Sequence, residues 1–538
     1  RILLQLAAAH GALEHHQEKI TYLRKYNALF DPDLIAELAW PLMKLGRYGE
    51  ARQVADAALA SGDPGQEIVA LNAMCATEFE AGNVMVSYEA CKRALEHGRQ
   101  GGSEPDVVDL TNFAEASRSV FRLDEAERIL LEATKVKEIS WYGSPWLELA
   151  ELYIREAKLP QALEALKRHV PFVMQKPTHV REVDRNEQRR VLASLLLVAG
   201  QDRAAGRITS EAIVSPDRRA HTSRDPEQDL LVSAMLDRRV KLVAAERILE
   251  RPTPWYGRPW RALRASWQRL LAWLSGRQAR KLLLEKDRLV GSLRIGTRDA
   301  AIMPPWLAGE VAEIVGSASA RLAAQRARAT DKRPGSSAYY DAFEGEAALL
   351  GGAPADARVL LERALRDLGP GERLLRARVH AVLARSLWEM NDRKRAALAY
   401  EEAMLLDPGV FRRLGWAVPV KIEAGQGEAT DEVIEMLLSS PRFFLATEGL
   451  SIRGSGGDRL CLMGGSDAVL ACASMEPGPP PDQDTKQEEP APSDPTQRVA
   501  LRFLDEAFAP RIDLSEADIG SLDGSTRVGR DVLEEIGQ

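Results

Sequence analysis

Between Arg1 and Pro408 the apolar residues fall three and four apart in runs of helical length, with short polar turns between the runs. That spacing predicts amphipathic α-helices, each with one buried stripe, and the short turns predict antiparallel neighbours. A representative unit begins at Leu38 and Ala39, turns at Gly46-Arg47-Tyr48, runs through Ala51, Ala55 and Ala58, and closes on Asp63-Pro64. Small side chains where two helices cross allow close packing, and a glycine gives the turn its backbone freedom. Trp146, Leu149, Ala150, Tyr153, Ala162 and Leu166 repeat the unit, as do Leu383, Ala384, Leu387, Ala396, Tyr400 and Ala403 before Asp407-Pro408. Turns are predicted at Gly11, Gly46, Gly82, Phe121, Ala157, Gly200 and Val240, then near Gly276, Gly316, Gly352 and Asn391.

These units resemble the tetratricopeptide repeat: a large residue then a small one on the first helix, a Gly-x-Tyr turn, and small residues on the second. Gly11 to Gly46 spans 35 residues and Gly46 to Gly82 spans 36, close to the family period of about 34. About eleven such hairpins fit. The resemblance therefore implies an all-α, right-handed superhelical solenoid of helical hairpins, with a small α+β C-terminal module. The first copy departs from the pattern, since His16 stands where Ala is usual and its first helix is cut short by Arg1. That truncation leads to the expectation of further sequence upstream. The excess of Arg over Lys resembles high-GC bacterial coding.

The resemblance also implies a concave groove, lined by the first helices, that binds partner peptides or domains. Carried onto this sequence, the groove takes Trp40, Met43 and Lys44, then Asn72 and Phe79, then Glu115 and Arg118, then Leu147, Glu151 and Arg155. Aromatic and Met anchors among charges suit peptide recognition. Packing between hairpins would equally account for Trp40 and Phe79. Family members that clamp a C-terminal carboxylate use Lys and Asn at positions held here by Ala36, Trp40, Val69 and Ala73. That docking mode is not expected.

Repeats are expected over 1–217 and 336–408, with degenerate repeats and a basic, Trp-rich hairpin over 218–335. A block Trp141-Tyr142-Gly143-Ser144-Pro145-Trp146 recurs as Trp255-Tyr256-Gly257-Arg258-Pro259-Trp260. Its aromatics are expected to wedge between consecutive hairpins. After Pro408 the pattern shifts. Strands are expected at 417–422, 450–453, 459–462 and 468–472, and a helix at 431–438, as a capping module over 409–475. The Pro-, Asp-, Glu- and Gln-rich stretch 476–496 reads as a disordered linker. A helix from Arg498 to Ala507, apolar at Val499, Phe503 and Phe508, and an acidic tail complete 497–538.

No Asp or Glu lies between Arg251 and Leu284, whereas Arg258, Arg261, Arg264, Arg269, Arg277, Arg280 and Lys281 accumulate there. Trp260, Leu263, Trp267, Leu270, Leu271 and Leu274 form an apolar stripe on the same predicted helix. Such a helix suits an anionic membrane or an acidic partner. By analogy with the neighbouring hairpins, however, the stripe is expected to be interhelical core and the arginines its solvated face.

Composition narrows the chemistry. The 538 residues carry a net charge of −7, so nucleic acid is not an expected partner. No apolar run approaches the roughly 18–20 residues that span a bilayer. Four cysteines without a CxxC pair are too few for a disulfide scaffold. Cys75 and Cys91 are expected as buried core thiols, and Cys461 and Cys472 flank a predicted β-turn at Gly464-Gly465-Ser466-Asp467. Those two thiols face each other if the hairpin forms, which would suit an oxidising compartment.

No Walker A loop, GxSxG elbow, HExxH pair or Rossmann fingerprint occurs. His10, His15, His16 and Glu14 are read as a solvated helix face, with His10 and Glu14 one turn apart. Neither catalysis nor a cofactor or metal is expected. The leading expectation is a protein-interaction scaffold. Its rivals are the docking or sensory arm of a regulatory kinase or NTPase with its catalytic domain upstream, and an envelope assembly factor. The cytoplasm is the default compartment, and the periplasm or envelope follows if an upstream signal was lost.

Overall fold

The computed structural model describes residues 1–30, 32–102, 104–136, 144–174, 178–213, 226–250, 258–285, 288–297, 303–423, 428–455, 459–476, 494–509, 512, 514, 519, 521 and 522. Antiparallel helix pairs make up most of it. α1 (Ile2–Ala12) pairs with α2 (His16–Leu29); a 3-10 segment (Pro32–Leu38) and α3 (Ala39–Lys44) pair with α4 (Tyr48–Ala60). α5 (Pro64–Glu80) and α6 (Val84–Gln100), α7 (Val107–Ser119) and α8 (Leu123–Ala133), and α9 (Pro145–Arg155) and α10 (Leu159–Met174) follow. Next come α11 (Thr178–Val198) with α12 (Asp202–Ile213), and the long pair α13 (Pro226–Glu250) with α14 (Arg258–Leu284).

Three short helices, α15 (Arg288–Leu293), α16 (Pro305–Ala308) and α17 (Val311–Val315), lead to α18 (Ser317–Thr330). The array ends with α19 (Ser336–Leu350) and α20 (Pro354–Asp367), then α21 (Arg373–Glu389) and α22 (Arg393–Leu406), and a short α23 (Val410–Leu414). This is a helical-hairpin solenoid of the tetratricopeptide-like kind.

The repeat is visible in the backbone of the turns. At Gly46, Gly82, Phe121, Ala157, Gly200, Gly352 and Asn391 one residue takes positive φ. The next N–H then donates to a carbonyl five residues back: Arg47 to Leu42 at 2.9 Å, Lys158 to Tyr153 at 2.7 Å and Asp392 to Leu387 at 2.9 Å. This arrangement satisfies carbonyls orphaned by the helix end and turns the chain sharply. Starts are capped as locally. Asp63 accepts from the Gly65 and Gln66 amides ahead of α5, Asp106 accepts from Asp109 at α7, and Ser144 accepts from Leu147 at α9.

Three expected turns are corrected. Gly11 sits within α1, and the left-handed residue there is Glu14, so His10 and Glu14 share no helical face. Val240 lies inside α13 and Gly276 inside α14. No glycine or asparagine near Val240 offers positive φ, and the buried Leu231, Val232, Met235, Leu236, Val240 and Val243 carry the helix straight through. Gly276 serves close approach instead: a Cβ there would stand 3.1 Å from Cδ of Arg238.

The C-terminal module is a five-stranded sheet of order β2-β1-β3-β4-β5. β1 (Val418–Glu423) runs parallel to both β2 (Phe443–Leu445) and β3 (Leu450–Ser455), with α24 (Glu428–Ser439) as the crossover from β1 to β2. β3, β4 (Arg459–Met463) and β5 (Val469–Ser474) form an antiparallel meander. Strand β2 was not anticipated, because three residues are too few to show alternation. α25 (Pro495–Phe508) lays Val499, Phe503 and Phe508 onto the sheet, with Phe508 and Phe443 rings 5.3 Å apart. One hydrophobic core runs from Cys75 through the array into the sheet and on to Leu522; the first two hairpins carry a smaller core of their own.

One cysteine pair departs from expectation, and the other faces across its hairpin as expected. Cys75 and Cys91 are not core thiols but a disulfide joining α5 to α6, and Cys461 and Cys472 are bonded across β4 and β5. Small residues at a tight helix crossing bring two Cα atoms within 5.0 Å, inside bridging range.

Candidate partner-binding groove

α3, α5, α7 and α9 hold the residues expected in the groove. A cavity of about 240 Å³ is lined by Trp40, Met43, Lys44, Phe79 and Glu115 together with His16, Lys19 and Asn112. A second cavity of about 70 Å³ shares Phe79 and Glu115, then continues along Arg118, Glu151 and Arg155. Two expected residues line neither. Asn72 hydrogen-bonds the Asp109 carboxylate, and Leu147 is buried core. Phe79, only 8% exposed, serves packing and both cavity walls at once.

The two cavities differ in electrostatics. In the larger, burial and the Lys44 ammonium push His16 below its ordinary value, so near neutral pH it presents an uncharged imidazole. In the smaller, the charges are spent on one another. Arg118 bridges Glu148 at 2.6 Å and Glu151 at 3.2 Å, and Arg190 bridges Glu151 at 3.0 Å and Asp229 at 2.9 Å. Burial pushes Glu148 up despite Arg118, whereas Arg190 and Arg118 outweigh burial at Glu151 and hold it down.

Arg155 pairs with Glu372 and donates to the Tyr339 hydroxyl at 2.9 Å. Ile295, Gly296, Met303, Pro304, Pro305 and Trp306 complete the wall of the smaller cavity. The inner surface of α9 is thus occupied by the chain's own later segments. Sequence reading missed Arg190, Tyr339, Glu372 and Trp306, which reach the site from over thirty to more than two hundred residues away. Asn112 was within reach of it, standing one turn before Glu115 on α7.

The basic segment forms α14 as expected, but the stripe is not interhelical core. Ala265, Ala272, Ser275, Ala279, Leu282 and Leu283 face the body of the protein, while Trp260, Leu263, Trp267, Leu270, Trp273 and Leu274 are exposed. Small residues let α14 lie close on α13, so the large ones point outward. In the duplicated block, Trp146 packs partly buried beneath Arg168, but Trp260 does not wedge. Trp141, Tyr142, Trp255 and Tyr256 lie outside the described residues.

No family model and no curated protein sequence matches this chain. Among solved structures, a Cut9–Hcn1 hetero-tetramer of the APC/C is similar at 14% identity and a TM-score of 0.24, over 77% of this chain and 89% of that one. Naa15/Naa10 bound to HypK-THB is similar at 11% identity and a TM-score of 0.23, over 81% and 74%. Yeast Tom70 is similar at 12% identity and a TM-score of 0.20, over 71% and 93%. At such scores the architecture rests on this chain's own helix pairing and turns, not on these likenesses.

Proposed function

We propose that this chain is a protein-interaction scaffold that holds a segment of a partner protein in its N-terminal groove. One observation supports this most: Trp40, Met43, Lys44, Phe79, Asn112 and Glu115, from three separate helices, converge on one cavity of about 240 Å³. That is below the roughly 300–1,000 Å³ typical of small-molecule sites. It suits one or two anchoring side chains from a larger ligand, with Lys44 and Glu115 setting direction by charge. The smaller cavity is a supporting wall, since Arg118, Glu151, Arg155 and Arg190 within it are consumed by internal ion pairs.

Affinity capture from a lysate of the source organism tests the reading. The double variant Trp40→Ala/Lys44→Glu is expected to keep its helical circular dichroism and to lose the captured partner at least tenfold. An unchanged partner set moves the site away from this groove.

A second, compatible reading is that the scaffold works in the cell envelope. Its support is the pair of disulfides, since such bonds persist in oxidising compartments and are rare in the cytosol. The deciding observable is the redox state of the four cysteines in natively purified protein.

A further inference from the structure

The long helix α14 presents a surface unlike the rest of the molecule. All three strongly exposed tryptophans among the described residues are on it: Trp260 at 72%, Trp267 at 58% and Trp273 at 58%. Leu263, Leu270 and Leu274 fill the gaps between them at helical spacing, so one apolar row runs along the outward side. Elsewhere, outside the first two hairpins, exposed large apolar residues stand singly or in twos, such as Leu131, Val359 and the adjacent Met85 and Val86, which is normal for a protein surface.

The row is bordered by cations. Arg258, Arg264, Arg277, Arg280 and Lys281 are exposed on the same helix; Lys281 also reaches Glu285 at 3.7 Å, and Arg269 is held by Glu246 of α13. No acid occurs within the helix, although the chain as a whole is acidic. At 27 residues the helix is about 40 Å long. Neither it nor any other helix among the described residues is long and apolar enough to cross a membrane. A large apolar row with interleaved tryptophans, and exposed cations toward both ends of the helix, matches the charge and polarity profile of a lipid headgroup layer.

We infer that α14 is an interfacial helix that seats the protein on an anionic lipid bilayer. Its tryptophan and leucine row enters the headgroup region, and its arginines and Lys281 pair with lipid phosphates. The surface shares no residue with the proposed groove, so the two readings stand or fall separately.

Flotation of the full chain with vesicles tests it. The probes are 30% phosphatidylglycerol in phosphatidylcholine, and phosphatidylcholine alone, each at 50 and 500 mM salt. Binding is expected on the anionic vesicles at low salt, with a blue shift of tryptophan emission, and at least tenfold less on neutral vesicles or at high salt.

Trp260→Ser/Trp267→Ser/Trp273→Ser, whose side chains are exposed, should fold with an unchanged circular dichroism spectrum and lose binding. Arg258→Gln/Arg264→Gln/Arg277→Gln/Arg280→Gln should lose the preference for anionic lipid. No flotation of the wild type, or equal flotation of the tryptophan variant, overturns the inference. Wild-type self-association that the tryptophan variant abolishes, without vesicle binding, also overturns it and assigns the stripe to a second copy of the chain.

Discussion

At the scale of single residues, the inner helices show how a polar group can look like a site and serve the fold. Asn72 bonds Asp109, a carboxyl pushed up to about 7 by burial and by Asp106, with the Asn72 hydrogen bond opposing the shift. In the unfolded chain Asp109 ionises near its ordinary value. Between about pH 4 and pH 7 the folded state therefore keeps a proton that the unfolded state has released, and stability falls as pH rises through that window. Asp109→Asn removes the effect. Melting curves from pH 4.5 to 7.5 should show the wild type losing about 2 °C relative to the variant. Parallel curves would mean that Asp109 is ionised throughout. Leu147 teaches the same lesson from the apolar side: a position on the expected face of α9 belongs to the core.

At the scale of elements, the turns were legible because they obey local rules. A left-handed residue followed by a bond five residues back demands little beyond its own helix end, and spacing located even the non-glycine cases, Phe121 and Ala157. The degenerate centre was not legible. Val240 and Gly276 keep the expected interval, yet α13 and α14 run straight through them.

The disulfides also belong to this scale, since each staples two adjacent elements, α5 to α6 and β4 to β5. Natively purified protein, denatured and alkylated, should take up no label before reduction and four after it. The Cys75–Cys91 bridge closes a separation of 16 residues, so its reduction should cost about 3 kcal/mol, read as a lowered melting temperature. Four labels before reduction would remove both the bridges and the envelope reading.

At the scale of the whole molecule, the array folds back on itself. The Phe121 and Tyr339 rings stack at 4.5 Å, Arg333 donates to the Ser119 carbonyl at 2.6 Å, and Arg155 meets Glu372 across 217 residues of sequence. The sheet is tied in as firmly: Arg412 bridges Glu250 of α13 at 3.0 Å, and Arg442 bridges the same carboxylate at 3.0 Å. Removing one member of a buried pair leaves its partner uncompensated, at a cost of about 3–5 kcal/mol. Arg155→Ala is therefore expected to lower the melting temperature. It should also enlarge the radius of gyration in small-angle scattering, as the later repeats lose their hold on α9. Unchanged scattering and melting would show that the closure does not depend on this pair.

The sequence by itself determined the helical hairpins, most of their turns, the shift to strands after Pro408 and the cationic run of α14. All of these depend on interactions within a few residues, namely periodicity, caps and turn conformations. Tertiary structure alone decided that Glu151 and Arg155 face the chain's own later repeats and that Cys75 bonds Cys91. It also decided that the tryptophans of α14 point outward. These outcomes depend on which faces meet at long range. A helix with small residues on one side and large ones on the other has two apolar faces, and its periodicity does not say which is buried. Packing chose the side on which Ala265, Ala272 and Ala279 let α14 lie close against its neighbour.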